Sequence, residues 1–268
     1  MANASLITDS NALLPDPTPP CVTILPILIH LPGGDLRGDD RGSLHRLYEA
    51  LERRESVKSS APTPADYVYA IEEAPADEVM VITPAQEFTT MLRNAEIAAA
   101  TSTKRVVAVD SRTAAAAQGL IAWRVWEAIE AGANLDQAVS VAREAIPRAE
   151  LVAKIQTLDL IRRSGRVPST DVDRAQQLGV QPVFRLYSGA IEALGMPQST
   201  NAALKGIARA WETHAGRAAK RTVVFHAAAS DQAVELQKLI GNSDPVTEFS
   251  PAMAVHTGAG VAGVAWLK

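Results

Sequence analysis

Short runs of β-branched residues alternate with stretches of helical apolar spacing in the first half of the chain. This alternation is typical of βαβ units, in which a helix connects two parallel strands. The pattern predicts strands at residues 6–8, 22–29, 79–83 and 105–110. It predicts helices at residues 44–53, 65–73, 86–101, 113–131 and 134–146. We therefore expect an α/β domain at residues 1–150, with three layers and a mostly parallel sheet.

The pattern changes after Pro147, where we place the domain boundary. Two strand runs, 180–186 and 191–194, are joined by a short turn that contains Gly189, which indicates a β-hairpin. The other elements of this half are an apolar run at 151–155, strands at 222–226 and 261–266, and helices at 155–166, 200–214 and 231–240. Hairpins mixed with helices favour an α+β domain at residues 151–268 with a mixed or antiparallel sheet.

The composition is that of a soluble globular protein, since 47% of the 268 residues are apolar and 21% are charged. The net charge is −4 and the Lys and Arg residues are scattered, which argues against a nucleic acid partner. The single cysteine, Cys21, cannot form an intramolecular disulfide, so we expect a cytoplasmic protein. The N-terminus lacks a signal-peptide pattern, and the longest apolar run, 22–31, is too short to span a bilayer. Secretion and membrane insertion are therefore not expected.

Polar residues end three of the predicted parallel strands, namely Thr8-Asp9-Ser10, Thr83 and Asp110-Ser111. The carboxyl ends of parallel strands face the ligand crevice of an open sheet, where hydroxyls and helix N-termini bind anions. This pattern predicts a ligand site at that edge. The alternative is that Asp110 and Ser111 only cap the helix that follows.

Two further segments place hydroxyls or an imidazole next to predicted elements. Ser59 and Ser60 precede a helix start with the capping-box sequence TPAD. Their neutral hydroxyls can donate to a carboxylate or a phosphate, although most loop serines are only solvated. His256 and Thr257 precede two glycines and the final strand, where a backbone can approach a ligand closely and the imidazole can contact its head group. A purely structural histidine is the alternative.

Fingerprints of common enzymes are absent from the sequence, including GxSxG, HExxH, GxxxxGK[ST] and GxGxxG. One cysteine and five histidines leave no recognisable zinc-ligand spacing. We therefore expect no cofactor, no metal and no catalytic residue.

These segments, in this order, resemble the DegV family of bacterial fatty-acid-binding proteins over nearly the whole chain. ITDS at 7–10 is similar to the family's TDS strand, SSAPTP at 59–64 to its TSQPSP, and VAVDSR at 107–112 to its VVDSR. TLDLIRRSGRV at 157–167 resembles TLEYLRRGGRI, and VHTGAG at 255–260 resembles HTGPG. These last two motifs are the more specific ones.

The resemblance implies a two-domain carrier that buries one long-chain fatty acid between its domains and holds the carboxylate by hydroxyls. Such a protein presents the acid to a separate fatty acid kinase subunit and is not itself an enzyme. Ser59 stands at the family's carboxylate-binding threonine, and His256 matches the histidine near the head group. The implied ligand-binding residues are Ser59, Ser60, Thr89, His256, Thr257, Thr8, Asp9 and Ser10.

The chain departs from the family pattern after the third predicted strand. The family's glycine-rich SSGLSGT is AQEFTTM at 85–91 here, which leaves Thr89 opposite the second carboxylate-binding serine. We expect Glu87 to repel a carboxylate if its side chain points into the site. The family's arginine after the hairpin is replaced near Gln198.

Two other functions remain open at this point. A subunit of the dihydroxyacetone-kinase type shares the two-domain α/β plan and uses a histidine, here His226 or His256, to hold a small carbonyl substrate. A DegV-like protein that no longer binds fatty acid would act as an interaction module.

Overall fold

The computed structural model describes residues 2–14, 18–156, 177–215 and 218–268. The helices of these segments are α1 (Leu44–Glu52), α2 (Pro64–Glu72), α3 (Met91–Thr101), α4 (Ala115–Glu130), α5 (Leu135–Ala145), α6 (Thr200–His214), α7 (Ser230–Ile240) and α8 (Pro251–Thr257). The strands are β1 (Ser5–Asp9), β2 (Val22–Leu25), β3 (Leu28–His30), β4 (Leu36–Arg37), β5 (Lys58–Ser60), β6 (Glu78–Thr83), β7 (Arg105–Asp110), β8 (Ala149–Lys154), β9 (Val183–Tyr187), β10 (Ala190–Gly195), β11 (Arg221–Ala227), β12 (Thr247–Glu248) and β13 (Val261–Leu267). The helix predicted at 155–166 lies, from residue 157 onward, outside the described residues.

The first sheet has the strand order β2-β1-β6-β7, and every neighbouring pair is parallel. Residues of β6 alternate between the two faces of this sheet. Val79 and Val81 pack with α2 and α3, whereas Met80 and Ile82 belong to the core that contains α4. Because both faces are apolar and covered by helices, the expected three-layer domain with a mostly parallel sheet is confirmed.

The second sheet has the order β10-β9-β8-β13-β11-β12 and is antiparallel except for the pair of β11 and β12. The predicted hairpin is confirmed as β9 and β10. Helix α4 packs between the two sheets, where Leu6 of β1 and Ala265 of β13 share one core with it. Helices α6 and α7 cover the other face of the second sheet. The domain boundary predicted at residue 150 falls inside β8, and that division stays a prediction.

A third, small sheet has the antiparallel order β4-β3-β5. The single strand predicted over 22–29 is wrong, because Pro26 separates β2 of the first sheet from β3 of this one. The backbone pairing with β1 ends at Leu25, and the N–H of Ile27 donates to the Ser10 hydroxyl at 2.9 Å instead, so the chain leaves the first sheet there. Helix α8 packs on the small sheet, where Ala254 and Val255 share a core with Ile29. This packing places the VHTGAG segment beside β5.

The capping box predicted at the start of α2 is confirmed. The Oγ1 atom of Thr63 accepts from the N–H of Asp66 at 3.3 Å, and Asp66 Oδ2 accepts from the N–H of Thr63 at 2.7 Å. Pro64 occupies the first helical position. This cap fixes the path of the chain immediately after β5.

Each helix in the described part of the chain is either too short or too polar to cross a bilayer.

Candidate functional site

Ser59 and Ser60 lie on opposite faces of β5. Ser59 pairs with Ile29 of β3, which is fully buried against α8, and directly opposed residues share a face of a sheet. Ser60 pairs with the exposed Leu28, and its hydroxyl lies 2.7 Å from Nε2 of His30. The fold therefore turns Ser59 toward α8 and leaves Ser60 on the outer face.

His256 and Thr257 lie at the end of α8, a helix that the hydrophobic pattern did not predict. The available signals were Pro251 at its first position and Gly258 at its end, where φ is +73°. The Thr257 hydroxyl donates to the carbonyl of Met253 at 3.1 Å, so it is used within the helix. His256 is half-buried on a helix that packs against β3, β4 and β5.

Thr89 is half-buried in the loop between β6 and α3. The helix predicted from residue 86 starts only at Met91, because residues 86–88 form a turn. The N–H of Phe88 donates to the carbonyl of Ala85 at 2.9 Å in this turn, and the N–H of Ala85 donates to the carbonyl of Thr113 at 2.8 Å. The loop that carries Thr89 is thus held by backbone bonds at its start.

Three of these segments meet at one small apolar cluster, formed by Ile27, Met91 and Ala252 with Ala61 packed against them. Ala61 directly follows Ser60, and Met91 of α3 comes two residues after Thr89. Ala252 of α8 lies four positions before His256, and residues at that spacing share a helix face. The fold therefore brings the segments of Ser59, Thr89 and His256 together, and we call these three residues the convergence site.

Glu87 does not carry an unpaired charge beside this site. Its Oε1 atom lies 2.6 Å from Nη1 of Arg112, and both side chains are a little over one third exposed. The repulsion expected of Glu87 required an inward, uncompensated carboxylate. The ion pair instead directs the carboxylate toward the loop after β7 and offsets its charge.

Thr8 and Asp9 are fully buried at the carboxyl end of β1 and bind other protein groups. The Thr8 hydroxyl donates to the carbonyl of Ile82 at 3.1 Å. Gln118 of α4 donates from Nε2 to Asp9 Oδ2 at 2.8 Å, and the N–H of Asn11 donates to Oδ1 at 2.9 Å. Burial raises the pKa of Asp9 to about 6, and the hydrogen bonds act against that rise. A ligand role for Thr8 and Asp9 stays a prediction.

Ser10 connects three elements near the convergence site. Its Oγ accepts from the N–H of Ile27 at 2.9 Å, and its carbonyl accepts from the hydroxyl of Ser250, the residue before α8. A Cβ atom on Gly38 would come within 2.7 Å of both Ser10 Oγ and the Ile27 carbonyl oxygen, so only glycine fits there. In this arrangement Ser10 fixes α8 relative to β1 and β3, and direct contact with a ligand stays a prediction.

The capping interpretation of Asp110 and Ser111 is wrong, because α4 begins after Ala114 and has no side-chain cap bond. Asp110 instead accepts from the N–H of Arg112 at 2.7 Å through Oδ1 and from the N–H of Gln86 at 3.4 Å through Oδ2. It therefore joins the loops that follow β6 and β7.

His226, the other histidine considered, is buried at the end of β11. Its Nδ1 atom accepts from the N–H of Ala229 at 3.4 Å and lies 4.0 Å from the carboxylate of Glu248. Burial lowers the pKa of His226, which favours the neutral ring. It lines a cavity of about 470 Å³ with Ala228, Ala229, Ser230, Asp231, Gln232 and Glu248.

The TLDLIRRSGRV motif, residues 157–167, lies outside the described residues. Arg112 lies in the VAVDSR motif and contacts both Glu87 and the hairpin turn at Ser188, which the motif alone does not predict. Its position in a polar loop at the end of a parallel strand was the signal that could have found it.

A parallel sheet and a mixed sheet packed on one shared helix, with the segments of Ser59, Thr89 and His256 meeting at one apolar cluster, define a mixed α/β protein. A protein-family model, described as uncharacterised protein of the DegV family, matches residues 3–268 of the chain. The chain belongs to the DegV family.

Relatives of known sequence and structure match over the full length. A DegV domain-containing protein of Streptomyces coelicolor is 30% identical, covering 98% of this chain and 97% of its own. A structure reported as fatty acid binding of a DegV family protein from Thermus thermophilus has a TM-score of 0.88 at 23% identity and covers both chains fully. The Streptococcus pneumoniae Fatty Acid Kinase (Fak) B3 protein loaded with linoleic acid has a TM-score of 0.86 at 18% identity, with 99% of each chain covered.

Proposed function

We propose that the protein binds one long-chain fatty acid between its two domains and presents the carboxylate to a separate fatty acid kinase. The observation that supports this proposal is the packing of the segments that carry Ser59, Thr89 and His256 around one apolar cluster of Ile27, Met91, Ala252 and Ala61. The Thermus thermophilus and Streptococcus pneumoniae neighbours, one described by fatty acid binding and the other loaded with linoleic acid, support the ligand class. The second, a fatty acid kinase component, supports the partner.

The acyl chain and the head group have different roles in this proposal. Each buried methylene contributes about 0.8 kcal/mol, so a chain of about fourteen methylenes contributes about 11 kcal/mol before ordering costs. A neutral hydroxyl that donates to the carboxylate adds about 1 kcal/mol net. The acyl chain therefore supplies most of the affinity, and the hydroxyls of Ser59 and Thr89 fix the orientation of the carboxylate.

The protein is then a carrier, and the partner kinase supplies the chemistry. Hydroxyl and imidazole donors orient a carboxylate oxygen by hydrogen bonds without forming a covalent bond to it, which leaves that oxygen able to react in a second protein. The cytoplasmic location expected from the single cysteine stays a prediction.

Mass spectrometry of the purified protein tests the proposal. The native spectrum and an organic extract should show one long-chain fatty acid for each chain. A covalent histidine adduct would overturn the proposal in favour of a dihydroxyacetone-kinase type of subunit. A protein that carries no lipid and fails to bind added oleate would overturn it in favour of an interaction module.

A further inference from the structure

Arg112 lies where the loops of the first sheet meet the hairpin of the second. Its Nη1 atom lies 2.6 Å from Glu87 Oε1, and its Nη2 donates to the carbonyl of Ser188 at 2.8 Å. The carbonyl of Arg112 accepts from the N–H of Gly189 at 2.5 Å. One residue thus joins the loop that carries Thr89 to the turn between β9 and β10.

The backbone at this junction is held in a conformation that other residue types rarely adopt. Arg112 has a φ of +55° and Ser188 a φ of +48°, both in the left-handed region although neither is glycine. Such conformations persist where surrounding contacts hold them, and they cluster at functional sites. A Cβ atom on Gly189, where φ is +81°, would lie 2.8 Å from Arg112 Nη2 and 2.9 Å from Glu87 Oε1. The turn therefore packs so closely against the ion pair that only glycine fits at position 189.

Asp110 ties the same junction to the end of β7. Its carboxylate accepts from the N–H of Arg112 and the N–H of Gln86, at 2.7 and 3.4 Å. The loop between β6 and α3, which carries Glu87, is consequently held at two points. Asp110 holds it through backbone N–H groups, and the Arg112 guanidinium holds it through Glu87. Thr89 follows Glu87 by two residues, so any opening of this loop displaces the hydroxyl at the convergence site.

We infer that Glu87, Arg112 and the turn at 188–189 form a latch that positions Thr89 and controls how fast the ligand leaves. This inference rests on the proposed function. Arg112 and Glu87 are positioning residues, and they act through Thr89 without touching the ligand. An ion pair that is one third exposed contributes little to global stability, but it governs local opening of the loop that it holds. Salt screens such a pair, so the latch loosens as ionic strength rises.

Ligand release measured by stopped flow tests the latch. The protein is loaded with cis-parinaric acid, a fluorescent fatty acid, and mixed with excess oleate. We expect Arg112→Gln and Glu87→Gln each to release it about 5-fold faster, with melting temperatures within about 2 °C of the wild type. The double variant should release no faster than Arg112→Gln alone, because the arginine substitution already removes the ion pair that Glu87→Gln breaks. Release from the wild type should accelerate with salt, and release from the variants should not.

The matched control is Arg53→Gln, which breaks an exposed Arg53–Glu49 pair of 2.8 Å on α1. It should release the ligand at the wild-type rate. Wild-type rates in both single variants, or multiplied effects in the double variant, would overturn the latch. Hydrogen exchange of residues 84–90 in lipid-free protein separates this outcome from failure of the proposed function. Faster exchange in both variants supports the latch even if no fatty acid binds, whereas unchanged exchange overturns it.

Discussion

Asp9 is a buried carboxyl group whose ionisation should control the pH dependence of stability. Burial raises its pKa from the ordinary value of 3.8 to about 6. The folded protein therefore holds this proton more tightly than the unfolded chain does, and the free energy of unfolding falls as pH rises from about 4 to about 6. Because the two pKa values differ by about 2, the decrease is about 3 kcal/mol and is complete above pH 6.

Asp9→Asn removes this titration with little change in shape. The new amide N–H would face the Nε2 donor of Gln118, but the Gln118 amide can rotate, because its Oε1 has no hydrogen-bond partner among the described residues. The rotation gives up the donation from Nε2 to Thr8 Oγ1 at 3.2 Å. We expect the rearranged bonds to cost about 1 kcal/mol. The variant should therefore be about 2 kcal/mol more stable than the wild type at pH 7.5 and about 1 kcal/mol less stable at pH 4.

Urea unfolding followed by tryptophan fluorescence, repeated from pH 4 to pH 8, measures this difference. Asp231→Asn, at an exposed position in α7, controls for the loss of one surface carboxylate. A difference between Asp9→Asn and the wild type that stays constant over the range would refute the reasoning, since Asp9 would then have one pKa in both states.

Two further predictions concern the site and the packing of α4. Ser59→Ala and Thr89→Ala should keep fatty acid binding within about tenfold, because the acyl chain supplies most of the affinity, and should reduce transfer to the kinase more strongly. Loss of lipid binding in calorimetry, beside an unchanged Thr213→Ala control, would contradict this division of roles. Gly119→Ala should destabilise the protein by at least about 3 kcal/mol in thermal unfolding, because the new Cβ would lie 2.0 Å from the Leu13 carbonyl oxygen. Gly33→Ala, with no atom within 4 Å of its added Cβ, is the control, and equal melting temperatures for the two would contradict the clash.

The parallel sheet could be predicted from the sequence because its strands are continuous apolar runs between amphipathic helices. Local chemistry also identified the start of α2, since Thr63, Pro64 and Asp66 form a cap without help from distant residues. Pro26 was a local signal for a break within 22–29, because proline commonly interrupts regular elements. The division of 22–29 between two sheets, however, depends on pairing partners far along the chain.

The convergence site was harder to predict because long-range packing creates it. Motif similarity indicated Ser59 and His256, but only the pairing of β5 with β3 shows that Ser59 and Ser60 face opposite ways. The partner of Glu87 is an arginine from a different loop, and spacing along the chain carries no information about that contact. The seven-residue helix α8 is too short for its apolar periodicity to be distinguished from a loop.

A crystal structure of the protein with a bound long-chain fatty acid tests the central claim most directly. The account predicts one acyl chain enclosed between the domains, with a carboxylate oxygen within hydrogen-bond distance of the Ser59 and Thr89 hydroxyls and the His256 ring. A carboxylate bound elsewhere, or a space between the domains filled by the protein's own side chains, would contradict it.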